Sequence, residues 1–165
     1  MIILRVTKLK LCFLLIAMSF VSLKAGAQVF GGAKFGDEQQ KALAEIKAVF
    51  GEPSSALNNM YVYKDKTFKG LRWSEIHFGF RNGKLDEARF VMVAKNKRDA
   101  CRESLAICNV MKQSYAMSED LEEDGTPFYA GGHSPFGYGH LFTIFISPYK
   151  GKMTSQLRYG PFSVQ

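Results

Sequence analysis

The sequence predicts an α+β fold of two tandem helix-plus-antiparallel-three-strand units, with the helices packed on one side of the sheet or sheets. Three observations predict it. Residues 37–50 and 97–117 both carry the apolar period of an amphipathic helix. Each of these stretches is followed by three segments that read as strands. The run "FRNGKLDEARF", Phe80 to Phe90, is echoed by "YKGKMTSQLRY", Tyr149 to Tyr159. Both read aromatic, basic, Gly-Lys, then Arg-aromatic, with one residue more before the second arginine. A second explanation of the echo stays open: turns of this kind flanked by aromatics recur wherever hairpins occur.

The chain begins with a segment that reads as a bacterial-type signal peptide, residues 1–27. Arg5, Lys8 and Lys10 give a positive start, Leu11 to Leu23 an apolar run, and Ala25-Gly26-Ala27 a small-residue cleavage site. The run is well short of the roughly 20 residues that span a bilayer. Cleavage after Ala27 puts Gln28 first, where a lipid anchor would need cysteine. The expectation is therefore an exported soluble protein, periplasmic or extracellular and not membrane-spanning after cleavage. Of the formal net charge of +7, four positive charges (Arg5, Lys8, Lys10, Lys24) lie in this segment without any acid, leaving +3 on the mature chain. Acids and bases interleave along the rest, so nucleic-acid binding is excluded on electrostatic grounds.

Residues 28–36, "QVFGGAKFG", read as a flexible leader. The first unit, 37–95, opens with Asp37 as N-cap and Ala42, Leu43, Ile46, Val49 and Phe50 on one face; Gly51 and Pro53 stop the helix. In "LRWSEIHFGF", Ile76, Phe78 and Phe80 alternate with His77, Gly79 and Arg81; in "LDEARFVMVA", Ala88, Phe90 and Met92 share a face. A two-residue Asn82-Gly83 turn would set Phe78 against Glu87. A three-residue loop, Arg81 to Gly83, sets Phe78 against Asp86, Ile76 against Ala88 and Ser74 against Phe90, so burial favours the latter.

The second unit, 96–165, has a helix with Cys101, Leu105, Cys108, Met111 and Tyr115 along one stripe, an acidic turn "SEDLEEDG", and strands around "PFYAGG", "HLFTIFISPY" and "SQLRYGPF". The two units are expected to make one combined globular domain. Cys101 and Cys108, seven residues apart on a helix, stand roughly 10 Å apart and are expected as two buried free thiols.

Catalytic and metal chemistry find few parts. His133 and His140 bracket a glycine-rich loop, but no cysteine or carboxylate lies at close ligand spacing. Asp120, Glu122 and Asp124 imitate the start of a calcium loop whose twelfth position, Gly131, lacks the required carboxylate. No nucleophile elbow or phosphate-loop spacing occurs. The expectation is no enzyme, no cofactor and no metal. What remains is surface: with Ile76, Phe78 and Phe80 facing the core, Leu71, Trp73, His77, Arg89 and Val91 should lie on the opposite sheet face, with Phe136 and Tyr138 nearby, as an interaction surface for a protein partner. The rival readings are an enzyme inhibitor and a small-ligand or metal-dependent enzyme using His133 and His140. Oligomeric state is left open by the sequence.

The run Gly51-x-Pro53 after a short helix, then Tyr61 or Tyr63, then Ile76-x-Phe78-x-Phe80-x-x-Gly83-x-Leu85, resembles the helix-plus-three-strand unit of the SmpA/OmlA family. A tandem pair of such units is similar in outline to the β-lactamase inhibitor protein fold. The resemblance implies outer-membrane assembly work for the first and enzyme binding by a concave sheet for the second. The missing lipid-bearing cysteine departs from the SmpA/OmlA pattern, and no functional residue carries over from either.

Overall fold

A computed structural model of the protein describes residues 30–164; the expected signal peptide and the first two leader residues lie outside them. The elements are α1 (Gln39–Phe50), β1 (Ser55–Leu57), β2 (Met60–Phe68), β3 (Leu71–Arg81), β4 (Lys84–Val93), α2 (Lys97–Met111), β5 (Met117–Leu121), β6 (Pro127–Gly131), β7 (Phe142–Tyr149) and β8 (Lys152–Tyr159). The strands form one antiparallel sheet in the order β1-β2-β3-β4-β8-β7-β6-β5. Each helix thus precedes four strands, one more than expected, and β4 meets β8 at the centre. The added strands are edges: β1 is only three residues and fully exposed, and β5 occupies part of the acidic stretch that reads as a turn.

Four two-residue turns set the hairpins. Asn58-Asn59, Lys69-Gly70, Asn82-Gly83 and Lys150-Gly151 each have positive φ at both positions, the type I′ signature whose twist matches that of paired strands. They close Leu57↔Met60, Phe68↔Leu71, Arg81↔Lys84 and Tyr149↔Lys152. The echoed stretches therefore share a turn type, but two unechoed turns share it as well.

The expected three-residue loop at 81–83 is overturned. Asn82-Gly83 makes the turn, Phe80 pairs with Leu85, and the register then slips so that Gly79 faces Glu87, Phe78 faces Ala88 and Ile76 faces Phe90. Asp86 is the extra residue, a bulge that restores parity after the short turn. The apolar set still shares a face: the Phe78 and Phe90 rings stand 6.2 Å apart, and both are fully buried.

The described part of the leader, read from the sequence as flexible, packs into the core. Phe30 and Ala33 are wholly buried and Phe35 nearly so. The Phe30 ring contacts those of Phe35, Phe68, Phe78, Phe90 and Tyr159 at centroid distances of 4.9–5.8 Å. The start of α1 is held by the β3–β4 turn: the Gln39 N–H donates to the Gly83 carbonyl at 2.7 Å. Asp37 does not cap the helix. It accepts from the Lys34 N–H and pairs with Lys41 at 2.8 Å, and Glu38 takes the cap position without a side-chain bond. At the other end, Gly51 adopts φ 79° with its N–H on the Lys47 carbonyl.

Helix α2 is capped by Asn96, whose side chain accepts from the Asp99 N–H at 2.9 Å. It ends at Met111, six residues earlier than its apolar period suggests, because the chain turns there and sends Met117 to pair with Gly131. Ala42, Ile46 and Phe50 of α1 and Ile107, Cys108 and Met111 of α2 join one buried cluster with Ile76, Phe78, Phe90, Phe142, Ile144, Leu157 and Tyr159. Both cysteines are free, Cys108 buried and Cys101 half-buried. No helix among the described residues is long and apolar enough to cross a membrane.

Candidate functional site

Strand alternation divides the central sheet into a core-facing set and a second set. The second set forms rows across β2, β3, β4, β8 and β7. One row is Val62, His77, Arg89, Arg158 and Thr143; the next is Lys64, Glu75, Val91, Gln156 and Phe145.

The end of the β7–β8 hairpin folds back over part of these rows. Tyr149 lies four residues beyond Phe145, about 13 Å along an extended strand, yet its hydroxyl donates to Glu75 Oε2 at 3.3 Å. Lys150 Nζ reaches the same carboxylate at 2.9 and 3.0 Å. On its other side, Glu75 Oε2 accepts from His77 Nε2 at 2.8 Å, and the His77 ring lies edge-on to Tyr149. Burial pushes the His77 imidazole below its ordinary pKa, against the opposing pull of Glu75. Burial alone would raise the Glu75 carboxyl, but hydrogen bonds from Lys150 and His77 hold it below its usual value. Here Val91 and Thr154 are fully buried, Gln156 nearly so, and His77 is 8 % exposed.

Four of the seven expected surface residues are therefore displaced from that role. Trp73 is 1 % exposed. Its Nε1–H donates to the Phe68 carbonyl at 3.2 Å, and its ring meets Phe90 at 5.1 Å. Leu71 packs against the same core. Trp73 and Ile76, three residues apart, both reach the core, so simple alternation breaks between them. Opposite this break, Asp65 of β2 adopts φ 51°. Val91 and His77 do lie in the second set, but they are covered.

Arg89 remains, half-buried and without a salt bridge among the described residues. Directly opposite it stands Arg158, which the sequence reading missed because pairing of β4 with β8 has no local signal. Arg158 Nη2 donates to Glu87 Oε2 at 3.0 Å, and its Nε is buried without a partner.

Arg158 also lines a cavity of about 240 Å³, together with His140, Thr143, Phe136, Tyr138 and Phe162. Phe136 is half-exposed and Tyr138 fully so. The cavity thus gathers both expected loop aromatics and one of the two loop histidines. The tail that forms its wall is pinned: the Phe162 N–H donates to the Asp86 carbonyl at 3.2 Å and the Val164 N–H to Asp86 Oδ1 at 2.9 Å.

His133 is exposed and does not line this cavity. In the acidic stretch, Asp124 is engaged by Lys97 and by Thr126, which hold its carboxyl at a pKa of about 2. Among the described residues no three His, Cys, Asp or Glu side chains are placed to hold a metal ion. Burial pushes the Cys108 thiol up.

No protein-family model matches the chain, and no curated protein or solved structure matches it significantly.

Proposed function

We propose that this is an exported, non-catalytic protein that binds a protein partner through the sheet face bearing Arg89 and Arg158. In this reading each helix-plus-strand half is one copy of a tandem unit, both helices lie over the core-facing side, and the opposite face is left for the partner. The strand order, with equivalent strands β4 and β8 meeting at the centre, supports the tandem arrangement. So does the resemblance of residues 36–95 to the SmpA/OmlA unit. Export rests on the form of residues 1–27.

The observation that carries the partner reading is the charge balance of the face. Its two acids are already engaged, Glu75 by Lys150 and His77, and Glu87 by Arg158. Lys64 and Arg89 form no salt bridge among the described residues. A face with spent acids and unspent bases attracts a partner presenting acidic side chains, and steers it by long-range attraction.

Site-specific photo-crosslinking in the native cells tests this. A crosslinking residue at Lys64 or Arg89 should trap one defined protein, and the same residue at exposed Arg102 of α2 should not. Adding Arg89→Glu should weaken capture from Lys64. Trapping from position 102 alone, or capture indifferent to Arg89→Glu, overturns the reading.

A further inference from the structure

We propose that the cavity beside Arg158 binds a free small molecule in which a single carboxylate is joined to an aromatic or apolar body. The inference shares Arg158 with the proposed partner face but requires no partner to be present.

The first support is the guanidinium itself. Of its N–H donors only Nη2 is bonded among the described residues, toward Glu87; Nε is too deeply buried to meet a ligand, so the donors left for one are those on Nη1. A planar guanidinium with unspent donors at a cavity wall matches the two oxygens of a carboxylate.

The second support is charge. Arg89 and Arg158 face each other directly, an unfavourable placement for like charges. Among the described residues Glu87 is the one carboxylate paired with either. One more negative charge balances the pair. A dianion would exceed the balance and meet Glu87, so a carboxylate is preferred to a phosphate ester.

The remaining walls set the body of the ligand. The Phe136 and Phe162 rings stand 5.6 Å apart, and Tyr138 adds a third aromatic. Thr143 and His140 supply polar groups beside them. At about 240 Å³ the space is smaller than the roughly 300–1,000 Å³ that accommodates drug-sized ligands, so it fits a molecule the size of one aromatic amino acid. Two parts of the wall are anchored: Asp86 holds the tail, and Phe136 packs beside Gly36 of the leader.

Isothermal titration calorimetry of the full chain decides the matter with three probes: phenylpropanoate, phenylpropanol and phenylpropyl phosphate. Phenylpropanoate should bind with a Kd of about 1 mM or tighter, and the other two at least about tenfold more weakly. Arg158→Gln should weaken phenylpropanoate by about tenfold or more while circular dichroism stays native. Should that variant fail to fold, the order of the three probes on the unaltered chain still decides. Equal binding of the alcohol, tighter binding of the phosphate ester, no heat at about 10 mM carboxylate, or undiminished binding to a folded Arg158→Gln chain overturns the proposal.

Discussion

Arg89 of β4 and Arg158 of β8 are direct cross-strand partners at the middle of the sheet, and among the described residues one carboxylate, Glu87, is bonded to Arg158 and none to Arg89. Like charges at such positions oppose folding by a few tenths of a kcal/mol to about one. Arg89→Glu places an acid opposite Arg158 and should raise stability by about 0.5 kcal/mol, read as a higher denaturant midpoint with unchanged slope. The same substitution should weaken partner capture. Stability and binding then move in opposite directions, which a folding defect would not produce.

Phe30 tests whether the leader belongs to the core. Its ring is fully buried among five aromatic side chains. Phe30→Ala should cost about 3–5 kcal/mol in chemical denaturation. A change below about 0.5 kcal/mol, the range of surface substitutions, would return residues 30–36 to the flexible leader read from the sequence.

The Asp86 bulge clasps the C-terminal tail. Gly160 has φ +69°, and a Cβ there would stand 2.5 Å from the Asp86 carbonyl oxygen. Gly160→Ala should therefore destabilise by about 2 kcal/mol or more. Asp86→Ala removes the acceptor of the Val164 N–H and the partner of Arg81, at about 2–3 kcal/mol. Because both changes loosen the same tail from the bulge, the double variant should lose less than the sum of the two.

Acid should weaken the fold through the Glu75–His77 pair. The folded imidazole sits below its ordinary 6.5, so the unfolded chain takes up the proton first as pH falls. The stability held by neutral His77 is complete above about 6.5 and declines below it. Glu75, also held low, adds a further decline below its ordinary 4.5 as its unfolded form protonates first. Denaturation midpoints followed from about pH 7 to 5 should fall, and His77→Gln should flatten that slope. A profile unchanged by His77→Gln would show that another group titrates.

The parts of the fold legible in the sequence are those with strong local periodicity. Ile76, Phe78 and Phe80 alternate within β3, and Ala88 and Phe90 within β4, so each set reads as one face; that the two faces coincide depends on the Asp86 bulge. Continuing that alternation backward misplaces Trp73, because it crosses a break that lies opposite the left-handed backbone of Asp65 in the neighbouring strand. Phe30 and Phe35 sit among glycines that suggest looseness, and only the assembled aromatic cluster shows what buries them. Strand β5, Met117 to Leu121, is an exposed edge of mostly polar residues, so no apolar alternation marks it. At the candidate site, Phe136, Tyr138 and Arg89 were within reach of sequence reasoning. Arg158 was not, since it joins them only through a strand pairing that spans the whole second half.

The central seam also sets an order of events. Ribosomes release a chain from its N-terminal side, so β4 emerges with a bare hydrogen-bonding edge. Its partner β8 follows only after a helix and three further strands have been delivered. For that interval the edge carrying Phe90, Val91 and Met92 is a template for wrong pairing, and a nascent chain of this topology depends on being shielded until its final hairpin arrives.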